Sequence, residues 1–207
     1  ALDELLRAYM SFSYEGVRIP VFDFSQIREK GSPLSSGGKA PGPDALEEAL
    51  SKVEAHLQKL IFDKKDYLDP IDCLDIVMYS AEAVLSGGRR RAATIAIFDQ
   101  DDYDMLHSKT GSWTDTHKHR QLANISARIP KNSESSTNFK EIFKYTKEFG
   151  EPGFIFTHSP QHLYNPCVEI GMCPLAIYGE DGSILVLEVQ SHICENTERT
   201  ISMDSTD

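Results

Sequence analysis

Apolar positions along the chain follow two periods. From Asp44 onward, Leu46, Leu50, Val53, Leu57 and Leu60 recur every three or four residues against a charged face, the stripe of an amphipathic helix. Asp69-Pro70 opens a second helix, Asp as its cap and Pro in the first turn, where a missing N–H costs little. Ile71, Leu74, Val77, Met78, Ala81 and Leu85 carry it to a stop at Gly87-Gly88. Ala92 to Phe98 is nearly all apolar and of strand length, which predicts a strand buried on both faces. Asp101 to Lys109 reads as a short helix. Phe139, Ile142, Phe143 and Phe149 mark a helical face over 138–149, while 153–157 and 184–190 read as strands. Arg18 to Phe24 holds a short β-prone run, but 27–43 is too rich in Gly and Pro for any regular element. The stretch 110–136 is polar and turn-rich, and the polar residues from 195 onward predict a frayed end. Strands alternating with helices predict an α/β fold.

Composition narrows the function classes. The chain has 207 residues, 40% of them hydrophobic, enough for one real core. A net charge of −11 argues against a protein that coats nucleic acid, whose surface would be basic. No apolar run approaches the roughly 18 residues of a membrane span. Cys73, Cys167, Cys173 and Cys194 form no C-x-x-C pair, and Ala1-Leu-Asp-Glu-Leu-Leu-Arg7 lacks the pattern of a secretory leader. The expectation is a reducing, cytoplasmic setting, with neither nucleic acid nor membrane as partner.

The densest chemistry lies in Leu163-Tyr-Asn-Pro-Cys-Val-Glu-Ile-Gly171. Pro166 pushes Asn165 away from helical angles, so the segment is expected to be extended or looped. In an extended chain Asn165, Cys167 and Glu169 project to one side: an amide, a thiol and a carboxylate. These make a catalytic inventory: a hydrogen-bonding amide, a sulfur and a general base. The alternative is a buried free cysteine beside surface polar residues, which spacing alone favours because free cysteine is usually a small hydrophobe. Gly87, Gly88, Arg89, Arg90 and Arg91 form a second candidate. The glycines let the backbone turn and the arginines suit phosphate; equally, they could be a helix end whose basic residues favour the dipole. The Gly-rich stretch 31–43 lacks the ending of a P-loop, so a phosphate-contacting loop and an ordinary surface loop stand equal. His117 and His119 have no further ligands at metal spacing, and Trp113 reads as packing.

Several of these stretches, taken in order, resemble ribonucleotide reductases. Asn165-Pro-Cys-Val-Glu-Ile170 resembles their thiyl-radical finger loop. Phe24 to Gly31 with Gly38 to Pro43, Pro70 to Ile76, Gly87 to Ala92, Asp101 to Gly111, Ala123 to Ser126 and Gly150 to Phe154 resemble the same family. The wording is closest to the adenosylcobalamin-dependent class II enzymes, and the resemblance runs from Val17 to Gly171. It implies part of a ten-stranded α/β barrel with the finger loop at its centre. The domain expectation is a partial barrel over 1–171 and a divergent segment, ending in a polar tail, over 172–207.

The resemblance also implies roles. Cys167 becomes the thiyl radical that takes the 3′ hydrogen of a ribonucleotide, Glu169 acts as base on the 3′ hydroxyl, and Asn165 hydrogen-bonds the ribose hydroxyls. Gly87, Gly88, Arg89, Arg90 and Arg91 relay effector identity to the substrate base. Arg28, Gly37, Gly38 and Lys39 belong to the neighbouring loop that meets a deoxynucleotide effector. Asn124 and Ser126 match a Ser-Asn-Asn-Ser motif in part. Adenosylcobalamin, a thioredoxin-like reductant and a homodimer are the implied cofactor and partners; no metal site is implied.

The chain also departs from the family. One of two further redox cysteines is expected on the strand after the finger, near Leu187, and no cysteine stands there. A non-catalytic nucleotide-binding or decayed reductase-like domain is therefore the alternative expectation.

Overall fold

The computed structural model describes residues 1–10, 19–35, 38–85, 93–130, 139–157, 162–168, 170–178 and 184–193. The chain divides into two compact units, Ala1–Ala93 with His107–Leu122, and Thr94–Leu106 with Ala123–Asp207.

Helices make the first unit. They are α1 (Leu2–Met10), α2 (Asp44–Phe62) and α3 (Pro70–Leu85). The stripe on α2 packs as its period predicts: Leu50, Val53 and Leu57 join Leu5, Tyr9 and Ile76 in one buried cluster, with Leu46 at its margin. Two buried carboxylates on α3 then tie in polar neighbours. Asp72 accepts a hydrogen bond from the Asp69 backbone N–H at 2.9 Å, pairs with Lys65, and lies 3.2 Å from His56 Nε2. The cap of α3 is thus closed from its third residue back to Asp69, while the Asp69 side chain pairs with Lys65 at 2.5 Å.

One turn on, Asp75 is gripped at both oxygens. Arg120 donates from Nε at 2.6 Å and from Nη2 at 2.7 Å, and His119 Nε2 lies at 2.8 Å. Burial alone pushes the Asp75 carboxyl up, but the hydrogen bonds and charges of Arg120 and His119 hold it well below the usual carboxylate range. The Tyr79 ring faces His119 at 4.1 Å. This binds the 3-10 helix Lys118–Leu122 to α3.

Two sequence expectations change. Residues 19–24 form no strand: Phe22 and Phe24 pack on the helical core and Val21 is 98% exposed. The β-prone run finds no partner ladder among the described residues, so its alternation serves packing instead. The predicted helix over 101–109 shortens to α4 (Tyr103–Leu106), which belongs to the second unit. In the first unit α5 (Trp113–Thr116) follows, and its Trp113 ring packs under Lys109 at 5.4 Å.

The second unit holds two sheets. β1 (Thr94–Asp99), β2 (Ala123–Pro130) and β3 (Gly153–Thr157) form a parallel sheet in that order. β4 (Leu163–Tyr164), β5 (Ile170–Tyr178) and β6 (Ile184–Ile193) form an antiparallel one. Between β2 and β3 runs α6 (Phe139–Phe149), on the sheet face that carries Phe154 and Phe156; the Phe139 ring lies 5.2 Å from Phe154 and 6.0 Å from Phe156. The strands predicted over 153–157 and from 184 are present.

β2 was not predicted. Ala123, Ile125, Ala127 and Ile129 alternate with polar residues and are all buried, so the strand signal was its period of two, masked by two alanines and a polar face. β2, not β1, occupies the centre of the three. Among the described residues of the run expected to be buried on both faces, only Phe98 is buried, because β1 lies at the sheet's outer position. β5 was also missed, its pattern interrupted by Gly171 and Pro174. Mixed helix and sheet with parallel strands is the α/β class expected. No helix among the described residues is long and apolar enough to cross a membrane.

Candidate functional site

A hairpin presents the Cys167 thiol. Leu163 pairs with Met172 and Tyr164 with Gly171, leaving 165–168 at the tip that follows β4. There the chain turns instead of running extended: the Val168 N–H donates to the Asn165 carbonyl at 2.8 Å. Pro166 sits at the second position of this turn, where its fixed φ is favourable. The one-sided projection of Asn165 and Cys167 rested on an extended backbone and does not hold through this turn; Glu169 lies outside the described residues. Val168 carries the cost, with φ at +68°, a conformation that β-branched residues rarely adopt. Cys167 is free and exposed at the tip, not a buried small hydrophobe.

Contacts from the parallel sheet hold the tip. Asn124 Nδ2, on β2, donates to the Pro166 carbonyl at 3.1 Å, and Ser126 Oγ donates to Asn124 Oδ1 at 3.0 Å. Ser126 stands opposite Gly153 in the β2–β3 register. A Cβ at 153 would lie 2.9 Å from Ser126 Oγ, so glycine there leaves room for the serine. At the other end of β3, Thr157 Oγ1 lies 3.2 Å from His162 Nδ1, just before the hairpin. Asn124, Ser126, Asn165 and Cys167 are thereby brought into one neighbourhood. Sequence reading had singled out all four, but had no signal for His162.

The remaining candidates fall elsewhere. Gly37, Gly87, Gly88, Arg89, Arg90, Arg91 and Glu169 lie outside the described residues. Arg28, Gly38 and Lys39 are exposed in one loop of the first unit. Its backbone folds on itself through Gly31 N–H to the Ala40 carbonyl at 2.9 Å and Leu34 N–H to the Gly38 carbonyl at 3.1 Å. Gly31, Gly38 and Gly42 all have positive φ, which explains glycine at these three positions. His119 is committed to Asp75, and His117 Nδ1 lies 2.8 Å from Thr116 Oγ1. Among the described residues no group of three or more His, Cys, Asp or Glu side chains could hold a metal.

An exposed thiol on a tethered turn fits one demand of a radical-generating cofactor, since S–H is the side-chain bond most readily giving up a hydrogen atom.

Comparison with known proteins points the same way. The chain is 29% identical over 136 residues, 65% of its length, to the adenosylcobalamin-dependent ribonucleoside-triphosphate reductase of Lactobacillus leichmannii. To the enzyme of that name in Lactobacillus gasseri it is 32% identical over the same share. A Dictyostelium discoideum protein described as a probable reductase of this kind is 32% identical over 91 residues, 44% of the chain. The chain spans less than a fifth of each of these relatives: 18%, 17% and 12%. No family model and no solved structure matches it. On these partial matches, the chain is similar over up to 65% of its length to proteins named adenosylcobalamin-dependent ribonucleoside-triphosphate reductases.

Proposed function

We propose that this chain contributes the finger and part of the barrel wall of a class II ribonucleotide reductase, reducing ribonucleotides to deoxyribonucleotides. One observation carries the reading: Cys167 stands free at the tip of a hairpin whose turn is tied to a parallel strand. The disposition of the second unit supports a barrel. α6 covers the Phe154/Phe156 face of the sheet, while Asn124, on β2, reaches the finger turn. Helix outside and finger inside is the arrangement a ten-stranded barrel would continue. On the proposed division, 1–171 is the reductase-like part and 172–207 the divergent segment.

In this reading adenosylcobalamin, when bound, supplies the radical chemistry that turns the Cys167 thiol into a thiyl. The chain's residues do the rest. Cys167 takes the 3′ hydrogen of the ribose, Glu169 removes the proton of the 3′ hydroxyl, and Asn165 orients the ribose through its hydroxyls. The exposed loop with Arg28, Gly38 and Lys39 contacts a deoxynucleotide effector, and Gly87 to Arg91 relays its identity to the substrate base. A thioredoxin-like dithiol regenerates the reduced site, and the working form is a homodimer in the cytoplasm.

A second reading has a specific observation behind it. β6 carries Leu187 where the redox partner of the family is expected, and no cysteine lies on that strand from Ile184 to Ile193. A nucleotide-binding domain without turnover fits that departure. The two readings separate in a hybrid enzyme, with 17–171 exchanged for the corresponding stretch of the Lactobacillus leichmannii reductase. The reductase reading predicts deoxynucleotide formation that is abolished by Cys167→Ser, with nucleotide binding nearly intact, because an O–H is far harder to homolyse than an S–H. Substantial turnover by the serine variant would place the radical elsewhere; binding without turnover in either form would favour the second reading.

A further inference from the structure

We infer that Asn124 is a positioning residue for the Cys167 thiol, acting through the Pro166 carbonyl, with Ser126 and Gly153 setting its amide. The chemistry of the groups fixes the direction of the relay. A carbonyl can only accept, so the atom of Asn124 that faces Pro166 is the NH2, and the side-chain oxygen is left to face Ser126. Ser126 is buried and donates to that oxygen, which prevents the amide from turning over. Gly153, directly opposite, leaves the hydroxyl its place; any side chain there would collide with it. The relay ends one residue before Cys167. Pro166 cannot rotate about φ, so fixing its carbonyl fixes the start of the next residue's backbone. A hydrogen atom can pass only over a short, well-aimed path, and misplacement by about 1 Å can cost on the order of a hundredfold in rate. The inference assigns Asn124 and Ser126 to holding the thiol rather than to contacting a nucleotide. It rests on the reading of Cys167 as the reacting thiol, but its structural half does not.

Two measurements test it. In the 207-residue chain, amide exchange at Val168, whose N–H closes the turn, is compared between the native sequence, Asn124→Ala and Ser126→Ala. Asn124→Asp, nearly isosteric but unable to donate to a carbonyl when ionised, serves if the alanine variant fails to fold. The expected result is about fivefold faster exchange at Val168 for either Asn124 variant and a smaller rise for Ser126→Ala. Amides of α2 should stay unchanged. Unaltered exchange at Val168, or equal acceleration throughout, overturns the relay. In the hybrid enzyme, Asn124→Ala should lower kcat at least tenfold with the ribonucleotide KM nearly constant. A raised KM with unchanged kcat would make Asn124 a substrate contact and overturn the assignment. A hybrid inactive even with Asn124 intact would count against the reductase reading, and the exchange result would still decide the relay.

Discussion

Val168 is where the finger conflicts most with its own sequence. Its φ of +68° sets a β-branched side chain in the left-handed region, at a cost of roughly 1–2 kcal/mol for L-residues. Glycine adopts this conformation freely, though it also loses more entropy on folding. Val168→Gly should therefore stabilise the second unit by about 1 kcal/mol, read as a higher urea midpoint at unchanged slope. A lower midpoint would mean that valine packing outweighs the backbone strain. The residue types at the site were legible in the sequence: amide, proline and thiol stood together at 165–167. Their directions were not, because alternation describes strands and this segment turns. Nor could spacing reveal that Cys167 is exposed, or that an asparagine 43 positions earlier reaches the residue beside it.

The first unit rests on α3 and what its two buried aspartates hold. Asp75→Asn would keep the shape but leave Arg120 and His119 facing a neutral amide in a dry setting. Loss of one partner from a buried ion pair costs about 3–5 kcal/mol, and a thermal midpoint within two degrees of the native one would contradict that role. The pH dependence has a definite sign. The Asp75 carboxyl is held below its unfolded value of about 3.9, so its contribution is present above that value and lost as pH falls through the lower folded one. Urea titrations from pH 6 to pH 2.5 should show stability declining below about pH 4, and less steeply in Asp75→Asn. α2 and α3 were legible because their stripes are long and periodic, and α3 begins at Pro70 as its cap signal predicted, whereas the short α1 and α5 were not predicted. β2 was harder. Its alternation spans eight residues with two alanines on the apolar face, and its polar face is not a solvent face: Ser126 is buried and Asn124 reaches the finger. A strand whose polar side serves a site looks like a loop to composition.

Across the whole chain, the described sheets provide three parallel and three antiparallel strands. Unpaired edges and a solvent-exposed Cys167 are poor surroundings for a thiyl radical, which any nearby hydrogen donor quenches. The 207-residue chain alone, with adenosylcobalamin and a dithiol, should form no deoxynucleotide above a Cys167→Ala control; product above that control would refute the expectation. In the hybrid enzyme, Arg90→Ala should change which ribonucleotide each deoxynucleotide effector favours, because a planar guanidinium fork can read a base or phosphate. The coupling loss is expected to be on the order of 1–3 kcal/mol, measured as turnover of four ribonucleotides in competition. An unchanged selectivity pattern would leave Arg90 as a helix-end charge.

The central claim is that the Cys167 thiol receives the 3′ hydrogen, and an isotope can follow that atom. A thiol proton exchanges rapidly with water, whereas a hydrogen on carbon does not. With 3′-tritiated ribonucleotide, the hybrid enzyme should release a fraction of the tritium to solvent in proportion to product formed. The Cys167→Ser variant should release none. Tritium release undiminished in that variant would show that another group takes the hydrogen and would contradict the account.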